Sequence, residues 1–149
     1  MDSINVMKVS QEAVLPTRAH PDDAGLDLYS LEDVLLTSSQ NATIQGQPNG
    51  KVIRTGIAIS LPIGYVGLVA DRSSLAKKGI KCAGGVIDSG YRGEIHIVLW
   101  NISNQEIRLN RGDRIAQLLI LPVITPAVKE VPELDTTQRG EKGFGSSGQ

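Results

Sequence analysis

The chain has 149 residues, 40% of them hydrophobic but only 3% aromatic, with 16 glycines, 7 prolines and a net charge of −1. That length predicts one domain, residues 1–149, with a core built from Val, Ile, Leu and Ala. The near-neutral, interspersed charge excludes a global basic field for nucleic acid, the lone Cys82 excludes an intrachain disulfide, and no stretch approaches the ~20 apolar residues of a membrane span. Because MDSINVMKVS lacks the apolar core of a signal peptide, the expectation is a soluble, intracellular (cytoplasmic) protein.

Frequent Gly and Pro predict many short strands rather than long helices. Residues 4–9 alternate as a first strand, and residues 16–23 have loop chemistry. If residues 24–30 (AGLDLYS) are extended, Leu26, Leu28 and Ser30 share one face and Asp27 and Tyr29 the other. Asp27 then reads as a buried polar anchor, a group holding water around a metal, or a solvent-facing strand residue. Residues 37–51 are polar, contain Pro48-Asn49-Gly50, and predict a long hairpin loop. Strands follow at 52–62 and 64–70, and then a short helix at 73–78, opened by a Ser N-cap and closed by Gly79.

Residues 84–93 (GGVIDSGYRG) read as a hairpin with Asp88 on one arm and Tyr91 at the exit of the turn. Flanking glycines would let the backbone approach something flat. Further strands are expected at 95–102, 107–109 and 115–123. The fold class is all-β, a barrel or two-sheet sandwich of short strands with one short helix and a flexible C-terminal tail.

Asp71-Arg72-Ser73-Ser74 puts a guanidinium and two hydroxyls where an anion could bind, or else forms an ordinary capped helix with Asp71 and Arg72 as a surface pair. The charges of Arg111-Gly112-Asp113-Arg114 read as structural pairing, whereas Gln117 interrupts an apolar run and is a candidate polar ligand. In residues 138–149, Gly-Ser main chain and Arg139 could wrap phosphates and Phe144 could stack on a planar base; simple disorder is the bland alternative. Neither His20 nor His96 has Cys or carboxylate neighbours at metal-ligand spacing, and Cys82 has no CxxC partner.

Five stretches stand in one order: AGLDLYS (24–30), DRSSLAKKGI (71–80), GGVIDSGYRGEI (84–95), RGDRIAQLLI (111–120) and RGEKGFGSSG (139–148). Together they resemble the five motifs of the homotrimeric dUTPase family. The resemblance implies a jelly-roll-like β-sandwich subunit, a trimer sharing three active sites, and Mg²⁺-dependent hydrolysis of dUTP to dUMP and pyrophosphate. That reaction limits uracil incorporation into DNA and supplies dUMP for thymidylate synthesis.

Carried over by position, the resemblance implies that Asp88 activates the attacking water and that Tyr91 packs under the deoxyribose. Main chain from Gly85, Val86 and Ile87 to Asp88, with His96, would read uracil. Arg72, Ser73, Ser74, Gln117 and Arg139 would bind phosphates, and Asp27 would hold Mg²⁺ through water. Phe144 would close over the base while Gly145, Ser146 and Ser147 wrap the phosphates, making residues 138–149 a lid donated by another subunit.

The second motif departs from the family's Pro-Arg-Ser-Gly: Asp71 replaces the Pro, adding negative charge near phosphate, and Ser74 replaces the Gly. Ser147 stands where Thr is common, and the loop at 37–51 is longer than expected. The stretch from Arg72 to Ala76 also resembles the dCTP deaminases, but their catalytic Glu would fall at Val98. From a different class, a catalytically silent dUTP-binding regulator would leave Asp88 without a task.

Overall fold

The computed structural model describes residues 3–41, 50–137 and 140–141. Among them the chain forms β1 (Asn5–Lys8), β2 (Leu26–Tyr29), β3 (Val34–Leu36), β4 (Gly50–Arg54), β5 (Ile57–Ser60) and β6 (Tyr65–Ala70). The short helix α1 (Ser73–Ala76) leads into β7 (Ile80–Ala83), β8 (Val86–Ile87), β9 (His96–Asn101), β10 (Ile107–Leu109) and β11 (Arg114–Pro122). All pairings are antiparallel. One sheet has the order β2-β11-β6-β8, a second β4-β9-β7, and β1-β5 and β10-β3 form two-stranded ribbons. This is the all-β sandwich that the short strands and turn residues predict.

Period-two alternation assigns the faces. On β9, Ile97, Leu99 and Asn101 are buried while His96 and Trp100 are exposed; on β2, Leu26 and Leu28 are buried between Asp27 and Tyr29. Leu28, Leu36, Ile53, Leu99, Ile115 and Leu118 are among the side chains that close the core. Each such burial contributes ~1.5–3 kcal/mol relative to exposure. Asn101 enters this core fully satisfied: its Nδ2 donates to the carbonyls of Leu36 (3.1 Å) and Gln105 (2.7 Å), and its Oδ1 accepts from the Ser103 N–H (3.0 Å).

Four local expectations need correction. Residues 52–62 are two strands, because Thr55 Oγ1 donates to the Ile95 carbonyl (2.6 Å) and the Gly56 N–H goes to the Glu94 carboxylate (2.8 Å) instead of a ladder partner. The expected loop at 37–51 is shortened: residues 39–41 are helical, β4 already begins at Gly50, and 42–49 lie outside the described residues. Residues 84–93 turn as expected, with Tyr91 N–H on the Asp88 carbonyl (3.0 Å), but do not form a paired hairpin. Instead, β8 pairs with β6 while β9 pairs with β4 and β7, so the turn carries the chain from one sheet to the other. Finally, α1 is capped by Arg72 without a side-chain bond, leaving Ser73 inside its first turn.

Beyond β11 the chain runs exposed. Residues 124–136 make no hydrogen bond to the rest of the described chain, and Ile124, Val128 and Leu134 are 87%, 100% and 82% exposed. No helix among the described residues is long and apolar enough to cross a membrane.

Candidate functional site

Two cavities collect the residues singled out in the sequence. The first, of about 300 Å³, is lined by Asp27, Arg72, Ser73, Ser74, Arg114 and Gln117 among others. Asp27 projects from the outer face of β2 and is 14% exposed. Arg72 Nε donates to Asp27 Oδ1 (2.9 Å), Arg114 Nη1 donates to Oδ2 (3.1 Å), and Arg72 Nη1 donates to the Arg114 carbonyl (3.0 Å). With Asp23 also in the lining, the two guanidiniums are balanced by two carboxylates, but the planar donor forks of Arg72 and Arg114 have the geometry that suits phosphate oxygens. The hydroxyls of Ser73 and Ser74 make no hydrogen bond among the described residues and are available to a ligand. Gln117 Nε2 donates to the Asp71 carbonyl (2.7 Å), fixing the approach to α1.

Arg114 and Gln117 are three residues apart and would face opposite sides of a regular strand. A register shift between Arg114 and Ala116 against β2 removes that conflict, and the consecutive buried residues Ile115 and Ala116 mark it. A β-bulge re-aims a side chain in this way. Asp71, expected to place negative charge near phosphate, points elsewhere. Its carboxylate accepts the Cys82 N–H (2.7 Å) and pairs with Lys81, tying the end of β6 to β7. Partial burial pushes the Asp71 carboxyl up, but the Cys82 N–H and the Lys81 ammonium outweigh it and hold the group below its usual 3.8. The surface pair Asp71–Arg72 therefore does not form, because each residue pairs elsewhere. Burial, then the Asp71 charge, pushes the Cys82 thiol up to about 12, so it is no nucleophile.

The second cavity, of about 250 Å³, is lined by Gly85, Val86, Ile87, Asp88, Tyr91 and His96, with Glu94 and Ile95. Because β8 is the edge of its sheet, its outer row of main-chain groups has no strand partner among the described residues. Gly85 is required where it stands: its φ is 106°, and a Cβ there would lie 2.8 Å from Val69 Cβ. The Gly85 carbonyl accepts the Val69 N–H (2.8 Å), locking the approach of β8. The Asp88 side chain makes no hydrogen bond or ion pair among the described residues, unlike the doubly paired Asp27. Tyr91 is 44% and Val86 65% exposed, so apolar surface is open beside that carboxylate.

The two cavities share no lining residue. Since β2 and β8 are opposite edges of one four-stranded sheet, they stand three strand spacings apart, roughly 14 Å. His20, as expected, is a loop residue, paired with Asp23 (3.2 Å), and no group of three or more His, Cys, Asp or Glu among the described residues could hold a metal ion. Arg139, Phe144, Gly145, Ser146 and Ser147 lie outside the described residues. Sequence reasoning gave Arg114 to structural pairing, which its bond to Asp27 fits, but did not place it in this cavity, for which the Ile115-Ala116 interruption of alternation was the available signal. Glu94 was passed over and had none.

The dUTPase family model matches residues 11–148. A deoxyuridine 5′-triphosphate nucleotidohydrolase of Corynebacterium jeikeium is 46% identical, over 97% of this chain and 92% of that protein. One from Clostridium novyi is 43% identical, over 96% of each. Among solved structures, a Staphylococcus bacteriophage 80alpha dUTPase mutant with dUpNHpp matches at TM-score 0.85 and 35% identity, with 100% of both chains covered. A dUTPase of S. aureus phage phi11, whose structure details the coordination of a structural Mg(II) ion, matches at TM-score 0.76 and 31% identity, over 89% of this chain and 98% of that one.

Proposed function

The chain belongs to the dUTPase family, and we propose that its two cavities are the phosphate and nucleoside halves of one dUTP site. The reaction is hydrolysis of dUTP to dUMP and pyrophosphate. The observation that carries the residue assignment is Asp88: a carboxylate without a partner among the described residues, beside an open β-strand edge and an exposed tyrosine ring.

Uracil lies along the free edge of β8, where main-chain donors and acceptors from Gly85 to Asp88 match its edge and His96 flanks it. Tyr91 packs under the sugar and leaves no room for a 2′-hydroxyl. Asp88 accepts a proton from a water whose oxygen bonds to the α-phosphorus. The bond from that phosphorus to the bridging oxygen breaks, and pyrophosphate leaves. Arg72, Ser73, Ser74 and Gln117 receive the charged chain, with Arg114 as an added cation.

The donor set fits Mg²⁺ held mainly by substrate phosphates: no carboxylate cage exists among the described residues, and Asp27 keeps lone pairs beyond its two guanidinium bonds for water of the metal's shell. Bound there, Mg²⁺ would neutralise phosphate charge and help align the triphosphate.

Residues 138–149 complete the site as a lid within a single domain of residues 1–149, Arg139 meeting the terminal phosphate, Phe144 covering uracil, and Gly145, Ser146 and Ser147 wrapping phosphates. The working form is a homotrimer in which one copy supplies the phosphate half and another the nucleoside half. The absence of shared lining residues and the exposed apolar side chains of Ile124, Val128 and Leu134 support that reading. Within the cytoplasm such an enzyme needs neither nucleic acid nor membrane.

Product analysis with Mg²⁺ tests the assignment, offering dUTP, dCTP, dTTP and UTP side by side. Pyrophosphate and dUMP from dUTP alone are expected. Ammonia from dCTP would point to the deaminases, although Val98, the position of their glutamate, is paired with Val52 in the β4–β9 ladder. Binding without product would leave a silent regulator.

A further inference from the structure

We propose that Glu94 is a positioning residue that sets the discrimination between deoxyribose and ribose. Its carboxylate fixes the carbonyl to which the Tyr91 ring is bonded. This rests on the reading of Tyr91 as the ring under the sugar.

The Glu94 side chain is 11% exposed and fully engaged. Oε1 accepts the Gly56 N–H (2.8 Å) and Arg54 Nε (3.2 Å), and Oε2 accepts Arg54 Nη2 (3.1 Å). Partial burial pushes the carboxyl up, but these hydrogen bonds and the Arg54 charge outweigh it. The main-chain carbonyl of the same residue accepts the Tyr91 hydroxyl (2.9 Å) and lies 3.1 Å from His96 Nδ1, which donates in its Nδ1–H tautomer. Both rings of the nucleoside cavity are therefore referenced to one carbonyl.

The turn around them has few other anchors. Its two arms join different sheets, so no ladder runs between β8 and β9. Within the turn, the Tyr91 N–H bonds to the Asp88 carbonyl and Arg92 Nη1 donates to the carbonyls of Ser89 (2.6 Å) and Tyr91 (2.8 Å). To the rest of the fold the segment is tied by Ile95, whose N–H donates to the Ile57 carbonyl (2.8 Å) and whose carbonyl accepts from Thr55 Oγ1 (2.6 Å), and by the Glu94 carboxylate. The Tyr91 ring folds back across Gly93, where a Cβ would collide with its hydroxyl. Its far end is thus held by the Glu94 carbonyl, and a shift there moves the ring plane against which a 2′-hydroxyl is excluded. A mostly buried carboxylate with its hydrogen bonds met is suited to hold such a reference point, since removing it leaves Arg54 and the Gly56 N–H without their acceptor.

The test is the ratio of kcat/KM for dUTP to that for UTP in the full chain and in Glu94→Gln, Glu94→Leu, Arg54→Met and Tyr91→Ala, with Tm recorded for each. Glu94→Leu is expected to lower the ratio about tenfold or more, chiefly through KM for dUTP. Glu94→Gln, which keeps an oxygen for the Gly56 N–H, should retain most of it. Should Glu94→Leu not fold, Arg54→Met removes the partner charge at a half-exposed position and should lower the ratio in the same sense. If Glu94→Leu and Arg54→Met lower Tm and both substrates' rates together with the ratio unchanged, Glu94 is merely structural and the proposal falls. A ratio that collapses in Tyr91→Ala but holds in the Glu94 and Arg54 variants overturns the role of Glu94 alone. A ratio that also survives Tyr91→Ala removes the reading of Tyr91 and this inference with it.

Discussion

In the phosphate half, long charged side chains hold one another: Asp27 accepts from both Arg72 and Arg114, and Gln117 braces the main chain at Asp71. In the nucleoside half the main chain does most of the work, through the open edge of β8, the left-handed Gly85 and the turn that passes from one sheet to the other. The first half is organised by charge and should respond to charge removal and ionic strength. The second is organised by shape and should respond to backbone strain and to the few rings that line it. Asp88 stands apart in both respects, since its carboxylate supports no fold contact among the described residues.

The largest expected effect follows from that difference. Asp88→Asn should lower kcat by about 10²–10⁴, the usual range for a lost general base, while a non-hydrolysable dUTP analogue still binds. Lost binding with unchanged turnover per bound substrate would contradict the role. Removing residues 138–149 should also cripple turnover while leaving oligomer size unchanged; a fully active truncation would remove the lid from the account. Gly85→Ala should cost about 1–3 kcal/mol of stability through strain at positive φ, read as a fall in Tm. An unchanged Tm would show that the backbone at Gly85 is not the constraint inferred for this half.

Arg114→Met should raise KM for dUTP about tenfold, as for one lost hydrogen bond to a charged group, with kcat changed less and the salt dependence of KM flattened. A larger effect on kcat than on KM would move Arg114 into the chemical step.

The smallest effect is in acid. Asp71 and Glu94 have folded-state pKa values held below their ordinary 3.8 and 4.5, so the unfolded chain binds more protons in that range. Their contribution is full above about pH 4.5 and is lost as pH falls through the folded values. Lys81→Met and Glu94→Gln should each flatten the acid limb of Tm against pH; a limb that steepens would reverse the sign.

The legible parts of the site were those whose chemistry is local. Asp88 and Tyr91 bracket one turn, Arg72 to Ser74 open one helix, and the place of Asp27 on the outer face of β2 follows from alternation with Leu26 and Leu28. Dependence on register or distant partners hid the rest. A bulge decides that Arg114 joins Gln117, and periodicity cannot reveal which sheet each arm around Asp88 enters. Arg54 and Gly56, the partners of Glu94, lie 40 and 38 residues away in sequence. The orientation of Asp71 is set by β7, so its charge was expected near phosphate and instead anchors a strand. Likewise β3, three residues long, gave too little alternation to read.

The most direct test of two half-sites supplied by different copies is complementation. Arg72→Ala and Asp88→Asn chains, each inactive alone, would be unfolded together, refolded as a mixture and assayed for pyrophosphate release from dUTP. Random assortment in a symmetric trimer should restore about a quarter of wild-type activity, because some interfaces then pair an intact phosphate half with an intact nucleoside half. A mixture as inactive as either variant would place both halves of each site in one chain and contradict the shared site.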